Sequence, residues 1–390
     1  MIIPRLALRN LLGAGLRTWL NVVVLSIAYV AIIWTHGFNI GMYEQISRAQ
    51  IEAEYGGGQY WHGNYDPYDP LSLQDAHEEI PQPLQDWIEE GRATPILITH
   101  GTIYPDGRIR TILLKGIDPH QTILAIPSRF LGGEREITPA LIGSRMAKST
   151  GLRIGDYVTL RWRDKDGTFD AKDFEIIQIM RTSVQSIDTN QIWIPLEELQ
   201  RMTQMVGEAT LVVVDQQVKT KETIEGWPFQ SPNVLLKDIR EMMEARSISR
   251  GILYVILLFL AMLAIFNTQI LSVFRRRKEM GTLMALGLTR AKLIVLFTLE
   301  GAMHGVLAAF IGAVYGIPLL IYFAMYGWAL PESMDQYGIA IGDRLYPTYS
   351  AALIIGTVVL VLIITTVVSY IPTRKISKLS PTDALRGRIP

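Results

Sequence analysis

"RRRKEMGTLMALGLTRAKL", Arg275 to Leu293, decides how this chain is built. It opens with four cations, continues as a short helix-forming stretch, is broken at Gly287 and resumes as a second helix. An apolar run long enough to cross a bilayer stands on each side of it. A segment that only joined two spans would need a few loose residues, whereas this one is stiff and punctuated. Glu279 to Leu286 makes roughly two helical turns. Met280, Leu283, Met284 and Leu286 give it a broad apolar side, with Gly281 and Ala285 between them. Gly287 can take the left-handed conformation that ends a helix, and Thr289 can cap the next one. A short helix with an apolar side suits docking into a groove on another protein.

Four segments are apolar enough to span a membrane: Trp19 to Met42, Gly251 to Phe274, Leu293 to Trp328 and Tyr349 to Tyr370. Each meets or exceeds the roughly 20 residues a helical span needs. The first is too long for the apolar core of a signal peptide, and no small-x-small cleavage site follows it, so it reads as a retained span. The third is too long for one upright span. It must tilt, protrude or bend, and Gly316 with Pro318 offers a place to bend.

Basic residues set the orientation. Arg5, Arg9 and Arg17 precede the first span, Arg275 to Lys278 with Arg290 and Lys292 join the second to the third, and Arg374, Lys375, Lys378, Arg386 and Arg388 follow the fourth. The 329–348 loop holds Arg344 against Glu332, Asp335 and Asp343. Both termini and the basic linker are therefore expected in the cytoplasm, and the region between the first two spans outside it. The resulting plan is a cytoplasmic amphipathic helix over 1–18, which would meet membrane lipids at the interface, then a span at 19–42 and an extracytoplasmic domain at 43–246. Spans at 251–274, 293–328 and 349–370 follow, separated by the basic linker 275–292 and a short extracytoplasmic loop 329–348, with a cytoplasmic tail at 371–390. The first helix reads alternatively as an extension of the first span.

The outer region is soluble in character. "TPILITHGTIY", "RIRTILLKGID", "DYVTLRWRD", "DFEIIQIM", "QIWIPL" and "ATLVVVDQ" are β-rich, several with near-alternating apolar positions. "PLQDWIEEG", "ALIGSRMAKSTG" and "LEELQRMTQM" read as helices, and the mixed order implies an α+β fold. Lys165 to Thr168, "KDGT", reads as a hairpin turn. "PFQSPNVLLKDIREMMEARSISRG" reads as a helix leading back into the second span, as a stalk. "YGGGQYWHGNYDPYDP", Tyr55 to Pro70, is a loop by composition. Its aromatics beside Asp and His fit sugar or metal contact, or a surface loop packing its own rings.

Composition excludes several classes. The 390 residues carry zero formal net charge, which argues against a nucleic-acid partner, and no cysteine, which removes disulfides and thiolate chemistry. No phosphate loop of the G-x-x-x-x-G-K-[ST] type, no H-E-x-x-H and no G-x-S-x-G is present. The chain is expected to have no catalytic residue, no metal site and no cofactor of its own. Glu300 and His304 lie inside the third span and four apart, on one helix face. They read as a structural contact, for instance to Asn267 or Gln269, or as a proton relay.

"RRRKEMGTLMALGLTRAKLIVLFTLEGAMHGVLAAFIGAVYG" resembles the core of the FtsX/MacB-type permease domain. That family carries an R-x-x-E-x-G-x-x-x-A-x-G element, here Arg276, Glu279, Gly281, Ala285 and Gly287, followed by a span with a glutamate, here Glu300. The ending "IPTRKISKLSPTDALRG" resembles the family's tail, and "KGIDPHQ", "LIGSRMAKSTGLRIGDYVTL" and "QIWIPLEELQRM" resemble the MacB-type extracytoplasmic core domain. The resemblance implies the membrane subunit, without a fused ATPase, of an ABC system of the MacB/Lol-like (type VII) superfamily, multi-pass in a bacterial cytoplasmic (inner) membrane. ATP and Mg would be bound by a cytoplasmic ABC ATPase dimer. A second permease chain, identical or paralogous, would complete the complex, with a periplasmic carrier or outer-membrane partner beyond it. Glu279, Met280, Gly281, Leu283, Met284, Ala285, Leu286 and Gly287 would form the coupling helix that docks on the ATPase. Its motion would reach the outer domain by mechanotransmission, for release of a lipoprotein or lipid or export of an amphiphile. An FtsX-like regulator that activates a periplasmic partner such as a cell-wall hydrolase is the alternative.

Overall fold

The computed structural model describes residues 15–133, 135–218, 222–329 and 344–374. Most of the 1–18 helix, of the 329–348 loop and of the 371–390 tail expected from the sequence lies outside the described residues. The described chain divides into two compact units, one of long helices and one of mixed strands and helices spanning Tyr43–Met242.

Helix α1, Leu16–Gln50, starts after Gly15 and runs on into one wider turn, Ile51–Tyr55. The Gly56 N–H closes that turn on the Ile51 carbonyl at 2.7 Å.

The mixed unit holds strands β1 (Gln59–Trp61), β2 (Glu78–Glu79), β3 (Ala93–Ile103), β4 (Arg110–Ile117), β5 (Thr138–Gly143), β6 (Tyr157–Arg163), β7 (Phe169–Met180), β8 (Gln191–Pro195), β9 (Glu208–Ala209), β10 (Leu211–Val214) and β11 (Phe229–Gln230). Nine of them form one sheet in the order β11-β1-β10-β3-β4-β8-β5-β7-β6, and β6 also pairs with β3. The strands from β3 round to β6 therefore close a ring. Alternation along β3, β4 and β8 sends apolar side chains to two faces, one of them the core inside the ring. Leu97 and Ile103 of β3, Ile112 and Leu114 of β4, Leu160 and Trp162 of β6 and Ile192 and Ile194 of β8 share one buried cluster. The intervening Ile96, Ile98, Ile117 and Trp193 join a second cluster on the opposite face. Short helices α2 (Gln82–Glu89), α3 (Ser144–Thr150), α4 (Gln185–Asn190), α5 (Leu196–Thr203) and α6 (Pro232–Leu235) fill the connections.

Two expectations need correction. "ALIG" was expected to begin a helix, but Thr138–Gly143 is a fully buried strand, parallel to β7, and the helix starts only at Ser144. A strand buried on both faces loses the alternation that marks a strand in sequence. The aromatic segment at 55–70 is not a plain loop either, because β1 inside it lies between β10 and β11. Its pairing is wholly long-range, and its flanking glycines, aspartates and prolines conceal it.

The other unit contains α7 (Lys237–Arg275), α8 (Arg277–Ala285), α9 (Arg290–Tyr326) and α10 (Ala351–Thr373). With α1, three of these are long and apolar enough to cross a membrane. α9 continues through Pro318 as one helix, and its 37 residues correspond to roughly 55 Å of rise. Val22, Leu25 and Tyr29 of α1, Ala261, Met262 and Ile265 of α7, Ala308 of α9 and Val361 of α10 form one shared core. Polar side chains tie the same helices together: Asn21 donates to Thr268 at 2.6 Å, Tyr29 to the Gly305 carbonyl at 3.3 Å, and Thr298 meets Thr373 at 2.9 Å.

Candidate functional site

The basic linker folds as α8 between two sharp breaks. Arg276 leaves the helical region (φ −97°, ψ 19°) and separates α8 from α7. At the other end Gly287 has φ +95°, a conformation that favours glycine. The Leu288 N–H reaches the Leu283 carbonyl and the Gly287 N–H the Met284 carbonyl, both at 3.0 Å. This pair of bonds is a Schellman ending, and Leu283 and Leu288 pack in the same apolar cluster beneath it. Thr289 then caps α9 by accepting from the Lys292 N–H at 3.4 Å.

The apolar side of α8 faces its own chain. Met280 is fully buried against Val273, Leu293 and Phe297, and Leu283 and Met284 pack on the same knot. Gly281 is buried with them. Of the apolar residues expected to present a docking face, Leu286 stands out at 80% exposed, with Ala285 exposed beside it. The free face therefore runs through Lys278, Glu279, Thr282, Ala285, Leu286 and Gly287. It is a polar surface with one large apolar tip, not an apolar stripe.

Arg276, matched in the sequence as part of the family element, was given no contact of its own there. Its Nε donates to Glu279 at 2.7 Å, and its Nη1 donates to both carboxylate oxygens of Glu300 at 3.0 and 2.9 Å. The guanidinium also lies 5.0 Å from the centre of the Phe297 ring. A planar fork with five donors can serve two carboxylates and an aromatic face together, which a lysine cannot. The basic cluster was expected only to mark the cytoplasmic side; instead one of its members joins α8 to α9. The signal was present in the shared spacing of Arg276, Glu279 and Glu300 with the family element, but nothing local indicated that the three meet.

Glu300 and His304 share a face of α9, yet His304 bonds to backbone. His304 Nδ1 lies 3.1 Å from the Glu300 carbonyl and 3.3 Å from that of Gly301. Carbonyl oxygens only accept, so Nδ1 carries the proton. Glu300 is anchored by Arg276. Gln269 and Ser369 instead close on Gly301, where a Cβ would lie 3.0 Å from Gln269 Nε2 and 2.1 Å from Ser369 Oγ. Among the described residues no group of three or more His, Cys, Asp or Glu is placed to hold a metal ion.

Two family descriptions match the chain. Residues 251–381 match the FtsX-like permease C-terminal domain, and residues 18–226 match the MacB-like periplasmic core domain. An ABC transporter permease of Methanocaldococcus jannaschii is 24% identical over 254 residues, covering 60% of this chain and 58% of that protein. The lipoprotein-releasing system transmembrane protein LolC of Neisseria meningitidis is 22% identical over 236 residues, covering 55% and 57%. The chain thus spans under three-fifths of the length of these curated relatives. The extracellular domain of the ABC-type transporter YknZ from Gram-positive bacteria aligns over 45% of this chain and 98% of its own, at 12% identity and a TM-score of 0.27. The two family descriptions account for both the α+β domain and the helical unit, and the chain belongs to the FtsX/MacB-type ABC transporter permeases.

Proposed function

We propose that the chain is the membrane subunit of an ATP-driven complex in which a separate ABC ATPase dimer docks on α8. Its motion passes through α9 and the other spans to the α+β domain outside the cytoplasmic membrane. One observation carries this reading: α8 is held to α9 by an apolar knot and by Arg276, while its opposite face is left free. An element that only linked two spans would need no such tether. An element that must move α9 when it is pushed needs one, because a loose joint absorbs the displacement. The ATPases supply the energy through differential binding of nucleotide to two conformations.

A second copy or a paralogue would complete the permease pair. Inside-positive charge supports cytoplasmic ends, with Arg374 after α10 and Arg290 and Lys292 at the start of α9. The similarity to LolC supports release or transfer of a lipidated or amphiphilic substrate.

The exposed face gives the test. Leu286→Asp combined with Lys278→Glu changes the free surface and leaves the knot intact. Co-expressed with its ABC ATPase, the double variant should lose at least about tenfold in affinity for it, as expected when a packed apolar anchor is replaced by charge. Its thermal stability should stay at the parent value. Undiminished co-purification and undiminished stimulation of ATP hydrolysis would show that the ATPase docks elsewhere.

A further inference from the structure

The aromatic segment at 55–70 plays no part in the coupling element, yet it walls a cavity of the α+β domain of about 750 Å³. That volume falls in the range of small-ligand sites, about 300–1,000 Å³. Its floor is one face of the sheet. Register places Trp61 beside Leu211, Ile98 beside Lys115, Lys115 beside Trp193 and Leu113 beside Gln191. Tyr55, Tyr65 and Tyr68 stand above this floor from the 55–70 segment.

Two floor groups have no partner. The Trp193 indole Nε1 and the Gln191 amide Oε1 are buried without a hydrogen bond, and the two residues are 1% and 2% exposed. They sit two positions apart on β8, hence on the same side and about 7 Å apart. One is a donor only; the other is an acceptor. A buried polar atom left unpaired is costly, so each one marks a place where a ligand or water belongs.

The charge on the floor, in contrast, is already met. Lys115 pairs with Glu54 at 2.8 Å and lies 5.1 Å from the Trp193 ring. Asp66 accepts the Tyr68 N–H, Asp69 accepts the Leu71 N–H, and Asp238 accepts the Tyr68 hydroxyl. His100 is engaged by the Pro70 carbonyl. Burial, with Glu54 and Asp66 nearby, pushes the Tyr65 hydroxyl up from its ordinary range, which keeps it neutral. On the floor Lys115 and Glu54 match each other, so a charged ligand would find no unmatched charge there, and Asp66, Asp69 and Asp238 on the wall are committed to the donors of Tyr68 and Leu71. An acyl chain would bury the indole N–H and the amide oxygen unpaired. A neutral molecule with hydroxyl or amide groups on its edge and flat C–H faces for aromatic rings satisfies both conditions.

We infer that this cavity is a saccharide site, with Trp193 Nε1 donating to and Gln191 Oε1 accepting from one sugar residue stacked against the aromatic wall. The site is independent of how α8 engages an ATPase.

Calorimetric titration of the full chain in detergent, with di-N-acetylchitobiose and separately with cellobiose, tests it. Binding of the acetylated sugar alone identifies an acetamide as the group paired on β8. Binding of both identifies hydroxyls, and either result supports the site. Trp193→Phe removes the indole N–H and Gln191→Met removes the side-chain amide, and each leaves an apolar side chain of similar size. Each should weaken binding about tenfold, the loss expected for one buried hydrogen bond. Thermal melting checks that both variants fold, and if one does not, the other decides. No heat from either sugar up to about 10 mM, the weak end of specific binding, would leave a cavity that holds water only and overturn the inference. Binding unchanged by both substitutions would overturn it as well.

Discussion

Arg276 is one of four consecutive cations, and only its neighbours in space set it apart. Glu300 is 24 positions away in sequence, so no local pattern announces the pair. Glu300 itself was legible, because a carboxylate inside an apolar span needs a partner; which partner was not. The pair is partly buried, with the Glu300 side chain 7% exposed, and the two ends of such a pair are not equivalent to two independent contacts. Arg276→Met takes the guanidinium away from the Glu300 carboxylate, and breaking a buried pair this way costs about 3–5 kcal/mol. Adding Glu300→Gln removes the charge that Arg276 faced. The double variant should therefore melt at a higher temperature than Arg276→Met alone, by a large part of what the single change lost. Glu279→Gln, at an exposed carboxylate, should move the melting temperature little. Melting followed by tryptophan fluorescence in detergent ranks these three variants, Glu300→Gln alone and the parent. A double variant as unstable as the sum of its parts would mean that the ion pair does not hold α8 to α9.

At the scale of elements, sequence patterns found the long helices and most of the ring strands but not what each faces. α8 shows why. Its apolar residues were read as a surface for a partner, and the fold turns them onto Val273, Leu293 and Phe297, since a two-turn helix without packing has no stability of its own. Small residues in α9 were equally visible and equally silent about their partners. Gly301 and Gly305 meet α10 at Ser369 and Thr365, while Gly312 and Gly316 meet α1 at Ser26 and Val30. Each pair is spaced as small-xxx-small, which lets helix backbones approach closely in lipid. A side chain at Gly305 would put its Cβ 2.9 Å from Thr365 Oγ1 and 3.0 Å from Leu362. Gly305→Leu should accordingly force α9 from α10 and cost at least about 1–3 kcal/mol through overpacking. Gly356 of α10 has open space where its Cβ would be, so Gly356→Leu serves as the control with unchanged behaviour. Size-exclusion profile and melting temperature of the two variants give the comparison, and a Gly305→Leu protein as stable as Gly356→Leu would disprove the close α9–α10 approach.

For the whole molecule, the chain passes between its two units inside helices, not through loops. The contact border falls at Met42 and Met243, within α1 and within α7. The sequence indicated this for α7, whose run from Lys237 was read as a stalk continuous with the second span. It left α1 unmarked, because Tyr43 to Gln50 lacks the apolar content that signals a span. A continuous helix transmits displacement along its axis, and a kinked one does so poorly, which makes the α7 crossing a place to separate folding from coupling. Ser247 is exposed, and its hydroxyl bonds back to the Glu244 carbonyl at 2.6 Å. Proline there removes one helical N–H and collides with the carbonyl of Met243, at a local cost of about 3 kcal/mol. It touches neither the ring of strands nor the core shared by α1, α7, α9 and α10. If the proposed transmission is right, Ser247→Pro in the complex with its ATPase should keep ATP hydrolysis but lose any nucleotide-dependent change in protease sensitivity of the α+β domain. Ser247→Ala, which removes only the hydroxyl, should behave as the parent. Limited proteolysis with and without a non-hydrolysable ATP analogue reads both at once. A Ser247→Pro protein whose domain still responds fully to nucleotide would show that an intact α7 is not the route, and would direct attention to α1.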